Sequence, residues 1–215
     1  MDGPAPPRER SRGLLARLFP DATRGVLVVV AAVSALALLL PEQDLLDWLA
    51  KDNQAIREGE VWRLLTAGLV HGSWLHLAMN GMVLNDIGRL VESLFGARRF
   101  LVLLWVSVLG GSLASFATNP HPSVGISGGL FGLVGAMLAL GLRHRRSLTP
   151  PVKRILLRAP IEVIVLNLAL GLALPIIDNS AHLGGLVTGF ALAFLLSPRP
   201  EVEAALRGRP VPRFR

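Results

Sequence analysis

The 215-residue chain contains no cysteine. Disulfides, zinc–thiolate sites and thiol catalysis are therefore excluded. Charge is sparse as well, at 17% of residues, against 52% hydrophobic residues and a mean hydropathy of +0.52. That balance places the chain among membrane proteins. The length leaves room for one helical bundle and no second domain of any size. Acidic residues are outnumbered 15 to 22, for a formal net charge of +7. Such an excess can mark a nucleic-acid footprint, but here its distribution says otherwise.

Six stretches are candidates to cross a membrane: 26–40, 75–95, 100–117, 127–142, 155–174 and 181–196. Several are shorter than the ~20 residues of a typical span, which suggests a locally thinned bilayer or water-filled mouths. Lipid admits only helices or closed barrels, and uniformly apolar runs read as helices. The expected fold class is all-α, a polytopic six-helix bundle. Nineteen of the 22 Lys and Arg fall before the first span, after the last, or around the second-to-third and fourth-to-fifth connections, with Arg89 and Arg158 inside the adjoining spans. The remaining three, Lys51, Arg57 and Arg63, lie in the long loop after the first span. The positive-inside rule then puts both termini in the cytoplasm. The basic residues report topology and attraction to anionic lipid headgroups, with no nucleic acid implied. The expected organisation is a basic N-terminal segment over 1–24, a six-helix domain over 25–197 and a basic tail over 198–215. Both flanks are Pro/Arg-rich and read as disordered.

The first span has a rival reading as a cleaved signal peptide, since basic residues and Ala35-Leu36-Ala37 bracket a short apolar stretch. Cleavage there would leave five spans and break the charge pattern, so an uncleaved helix is preferred. In the first outer loop, Leu45, Leu46, Trp48 and Leu49 among Asp44, Asp47 and Lys51 predict an amphipathic piece in the interface. Trp62 and Trp74 suit headgroup depth.

Polar residues in lipid are costly and are functional candidates by default. Ser127, in Gly125-Ile126-Ser127-Gly128-Gly129, opens the fourth apolar stretch. His182, in Ala181-His182-Leu183-Gly184-Gly185, opens the sixth. A serine hydroxyl is a weak nucleophile unless a base takes its proton, and imidazole titrates near neutrality. The glycines beside Ser127 admit a peptide backbone. The helix N-terminus there offers free N–H groups where an oxyanion would form. Gly128, Gly132 and Gly135, with Gly185 and Gly189, recur at small-xxx-small spacing, so these two helices can approach closely and bring Ser127 to His182.

The second stretch adds His71, His76 and Asn80. His76 and Asn80 share a helix face and could supply oxyanion donors. Paired histidines can also bind zinc, but no carboxylate stands in the matching position and Asn is a poor ligand, so no metal is expected. A third reading is plain interhelical hydrogen bonding. Asp86 either pairs with Arg89 or faces a hydrated interior. Asp178, four residues before His182, reads as a loop-and-cap residue ahead of a triad acid. Glu162, after Pro160, reads as a helix-start residue on the dipole.

These motifs, in this order, resemble the rhomboid intramembrane proteases. Glu60 to Thr66 resembles the family's Trp-Arg segment, and His71 to Asn80 its His-x4-His-x3-Asn run. Gly88 to Glu92 matches its Gly-x3-Glu, Gly125 to Gly128 its nucleophile motif, and Ala181 to Gly185 its base motif. The resemblance spans about residues 60–189. It implies a six-helix rhomboid bundle in the plasma membrane and a Ser127–His182 dyad cleaving transmembrane protein substrates. It also implies an oxyanion hole from His76, Asn80 and the Ser127 backbone N–H, and no cofactor. One departure stands out: Phe131 lies where many relatives carry a tyrosine that packs on the base, and this chain has no tyrosine at all. The rivals are a non-catalytic rhomboid-like binder of membrane clients and a transporter with a polar midplane site. Intact Ser127, His182 and Asn80 speak against the first. The clustering of polar residues in the outer third speaks against the second.

Overall fold

A computed structural model describes residues 21–40, 44–174 and 176–208. The basic stretch through Arg17, the residues just after Leu40, Pro175 and the last seven residues lie outside the described residues. The described residues form the helices α1 (Ala22–Leu39), α2 (Leu45–Leu49), α3 (Asn53–Arg57), α4 (Arg63–Thr66), α5 (residues 74–95), α6 (Ala97–Thr118), α7 (Ser127–Arg143), α8 (Pro150–Ala173), α9 (Asn179–Leu195) and α10 (Pro200–Leu206). Among the described residues there is no strand, only an isolated antiparallel bridge between Lys51 and Ser123.

α1, α6 and α8 are each long and apolar enough to cross a membrane, α9 and α10 pass only as a pair bent by 92°, and α7 is a shorter apolar helix. α5 runs through the expected second span but carries Asn80, Asn85, Asp86, Arg89 and Glu92, so apolarity alone does not mark it. A π turn, Leu84–Gly88, interrupts it.

The core is α6, α7 and α9. α7 sits at the centre, with thirteen of its seventeen residues buried. Glycine makes this contact possible. A Cβ at Gly185 would overlap the carbonyl of Gly128, and one at Gly189 would overlap that of Gly132. Backbone therefore packs on backbone along the predicted small-residue stripes. α1 joins through Val26 and Val30, which lie in the core cluster. Its N-terminus is held by Glu92, which accepts from the Ala22 and Thr23 amides, both at 2.8 Å, and from Thr23 Oγ1 at 2.7 Å. Gly88 leaves room for the Thr23 side chain. The Gly-x3-Glu motif is thus a docking site for the first helix, which fits poorly with a detachable signal peptide.

Four expectations are corrected. The tail over 198–215 reads as disordered, but α10 folds back on the bundle. Leu206 is buried, Ser147 Oγ donates to the Leu206 carbonyl, and Glu203 lies 3.3 Å from His144 Nε2. Proline at its first turn starts the helix, and Val202 and Leu206, four apart, form its apolar face. Glu162 is not at a helix start, because α8 begins at Pro150; it pairs with Arg158 at 2.7 Å. Asp86 does not meet Arg89 but accepts from Asn85 Nδ2 at 2.9 Å on an exposed face. In the amphipathic piece, Leu49 is buried and Trp48 exposed, while Lys51, read as one of its charged interface residues, is buried completely.

Candidate active site

Ser127 is the first residue of α7, after Ile126, which offers no side-chain cap. The first-turn amides are therefore free of a capping side chain. His182 lies one turn into α9, whose N-terminus is capped by Asp178 accepting from the Ala181 amide at 3.0 Å. The glycine contact between the two helices sets the distance. His182 Nε2 is 2.9 Å from Ser127 Oγ. For Nε2 to accept that hydroxyl proton, Nδ1 carries the ring hydrogen. Nδ1 is buried and makes no hydrogen bond in the structure. Asp178 therefore caps the helix without touching the imidazole, as the loop-and-cap reading expects. Orientation of the ring falls instead to Phe131, one turn past Ser127. Its ring stacks on His182 with centroids 4.2 Å apart and planes 11° from parallel.

On the other side of Ser127, Gly125 has φ +116°, a conformation that favours glycine. A Cβ there would fall 2.8 Å from His76 Cε1, 2.9 Å from His76 Nε2 and 3.5 Å from Asn80 Nδ2. Glycine is thus required twice, for the backbone turn and for the space it leaves to these side chains. Asn80 Nδ2 is buried with no hydrogen-bond partner. An unmade donor of this kind is costly, and it lies beside Gly125, two residues before Ser127, with its hydrogens unspent. Gly128 gives the close approach to the α9 backbone.

His71 stands apart from this group. It is fully buried, its Nδ1 is 2.9 Å from Ser34 Oγ on α1, and its ring meets His76 edge-on at 4.8 Å. Ser34 also donates to the Leu69 carbonyl at 3.0 Å. His71 therefore supports His76 from behind and ties it to the first helix. Ser34 was not singled out in the sequence, although a hydroxyl in the middle of an apolar helix is the signal that could have marked it. Arg63 of the Trp-Arg segment pairs with Glu60 and donates to the carbonyls of Asp47 and Ala50. It pins the first loop but does not reach Ser127.

Comparison with known proteins identifies the family. The Rhomboid domain family model matches residues 58–199. The chain belongs to the rhomboid family. It is 41% identical to rhomboid protease GluP of Bacillus subtilis over 147 residues, 68% of this chain and 28% of that protein. It is 43% identical to RHOMBOID-like protein 5 of Arabidopsis thaliana over 155 residues, 71% of this chain and 49% of the relative. The putative rhomboid protease YdcA of Bacillus subtilis is 29% identical over 194 residues, 86% of this chain and 92% of that protein. The chain thus spans about a quarter to a half of the first two relatives and nearly all of the third. As a rhomboid with helices of membrane-crossing length, it is a membrane protein.

Proposed function

We propose that this rhomboid is an intramembrane serine endopeptidase that cuts transmembrane protein substrates with Ser127 as nucleophile and His182 as base. The observation that carries the reading is the 2.9 Å Ser127–His182 contact, with an unpartnered Asn80 donor on the far side of Gly125. Ser127 Oγ attacks the scissile carbonyl as its proton passes to His182 Nε2. The C–O bond forms, and the carbonyl π electrons move onto oxygen. That oxyanion is held by Asn80, His76 and the first-turn amide of Ser127. His182 then returns the proton to the leaving amine as the C–N bond breaks. Water repeats the sequence on the acyl-enzyme. None of these steps needs a cofactor.

In this reading the domain crosses the plasma membrane six times, with both termini in the cytoplasm. The Ser127 end then opens to the outer side, where water is available. A client-binding rhomboid without chemistry would need neither the dyad contact nor an idle buried donor. The deciding experiment is Ser127→Ala in purified protein. Cleavage of a model transmembrane substrate and labelling by a fluorophosphonate should both fall to background, with the melting temperature unchanged. Cleavage retained by Ser127→Ala would end the serine-protease reading.

A further inference from the structure

Lys51 has no exposed surface, and the dyad makes no use of it. Its Nζ donates to Asn53 Oδ1 at 3.0 Å, to the Asn119 carbonyl at 2.9 Å and to the His121 carbonyl at 2.8 Å. An ammonium has three hydrogens, and all three are spent. The Lys51 backbone also pairs in both directions with Ser123, at 2.9 and 3.0 Å. Asn53 adds bonds from Nδ2 to the carbonyls of Phe116 and Asn119, at 3.2 and 3.1 Å. The first loop thus grips the turn over residues 119–123 through main chain and side chain together.

Asp178 lies near the same turn, with Ser123 and Asn119 close enough to favour its charged form. It accepts from Ser115 Oγ at the end of α6 and from the Ala181 amide. Burial would raise its pKa, but these bonds, with help from Ser123 and Asn119, hold the carboxyl below its ordinary value. Burial pushes the Lys51 ammonium down, while Asp178 and Asp52 oppose that shift. The turn therefore adjoins a buried cation, Lys51, and a half-buried anion, Asp178, and the two form no direct ion pair. Burying charges this way is costly, and the location tells what the cost secures. The turn runs into Gly125, whose amide donates to the Ala67 carbonyl at 2.9 Å, and so into Ser127. Asp178 begins the helix that carries His182 one turn later. A shift of this turn would move both members of the dyad.

We propose that Lys51 and Asp178 are positioning residues that hold the 119–123 turn between them and thereby set the Ser127–His182 separation. The inference deepens the serine-protease reading and rests on it for its kinetic consequence. The test uses the purified full chain, with Lys51→Met, Lys51→Arg and Asn53→Ala. Two quantities are measured: amide exchange across 119–126, and turnover of a transmembrane substrate. For Lys51→Met, exchange in 119–126 should rise about tenfold. Its kcat should fall about a hundredfold with KM within about twofold, because misplacement by an ångström costs that much. Lys51→Arg keeps a cation with donors and should recover about tenfold of the lost kcat. A folded Lys51→Met with unchanged kcat would overturn the proposal, as would Lys51→Arg no better than Lys51→Met. If Lys51→Met does not fold, Asn53→Ala decides: a kcat lowered about fivefold or more supports the positioning role, and an unchanged kcat overturns it. If the parent protein neither cleaves nor takes a fluorophosphonate, the protease reading fails separately. Exchange alone then judges the grip: faster exchange in 119–126 on loss of Lys51 supports it, and unchanged exchange refutes it.

Discussion

α7 and α8 are both strongly apolar helices, and the bundle treats them in opposite ways. Thirteen of seventeen residues of α7 are buried, whereas in α8 only Leu156 and Pro160 are. Hydrophobicity cannot account for this, since lipid is as good a home for leucine as the protein interior. Side-chain size can. α7 presents Gly128, Gly132 and Gly135 to α9 and Gly129 to α6. α8 has a single glycine, Gly171, and turns Ile161, Val165, Leu166, Leu170 and Leu172 outward. Ser127, the proposed nucleophile, sits on the helix that is packed most tightly. The helix beside it is held loosely, with Asn179 Nδ2 reaching the Leu168 carbonyl at 3.4 Å near its end. For the proposed protease, chemistry needs fixed atoms and a transmembrane substrate needs a way in, and on that proposal these two helices divide the tasks.

The contrast breaks most sharply at Gly189. Gly189→Leu should prevent folding or cost about 3 kcal/mol or more, because the new side chain meets the Gly132 backbone and nothing flexible can yield. Leu166→Ala on α8, at a residue 61% exposed, should stay within about 0.5 kcal/mol. Thermal melts in one detergent compare the two directly. Equal losses would show that α8 is as tightly integrated as α7. On the α7 side of the comparison, Asn80→Ala should lower kcat by about 10² to 10³ with KM little changed. An unchanged kcat would return Asn80 to a purely structural role.

The loose side is tested through Gly171 and Asn179. A Cβ at Gly171 would lie 2.6 Å from Asn179 Cγ, so Gly171→Cys with Asn179→Cys places two thiols within bonding reach. The native chain has no cysteine to interfere. Oxidation should hold the end of α8 against α9 and block a transmembrane substrate, about tenfold or more. Labelling of Ser127 by a small fluorophosphonate should continue, and reduction should restore cleavage. Full turnover in the oxidised protein would mean that substrate enters elsewhere.

Much of this was legible in the chain because it is written locally. Ser127 and His182 each open an apolar run, and the glycine stripes that join their helices follow the helical period. Phe131 is one turn from Ser127 and could be placed by counting. What escaped depends on parts of the chain far apart in sequence. Lys51 reads as a loop charge because its oxygen acceptors lie about seventy residues on, in a turn folded back over it. Ser34 gains its meaning only when α1 lies against His71. α10 reads as a disordered tail because its Pro/Arg composition hides two anchors, Val202 and Leu206, whose partners belong to the bundle. Glu162 misled for a related reason. Pro160 looks like a helix start, but the π turn at Arg154–Arg158 just before it lets the helix run through.

The smallest expected effect lies at Phe131, where the rigid helix meets the base. The ring is 6% exposed and stacked flat on His182. Flat stacking fixes the imidazole plane through its faces and leaves both ring nitrogens untouched. A hydroxyl at the far edge of the ring should therefore alter packing at its rim and not the stack itself. Phe131→Tyr should change stability by under about 1 kcal/mol, and kcat should be equal or slightly higher. Phe131→Ala is the matched control, since it removes the stack, frees the imidazole to rotate and should lower kcat about tenfold or more. Parallel kinetics and melts on the two variants separate the ring from its substituent. Severe misfolding of Phe131→Tyr would show that α7 is packed too tightly there for even one added oxygen. That outcome would extend the rigidity of this helix to the residue that orients the base.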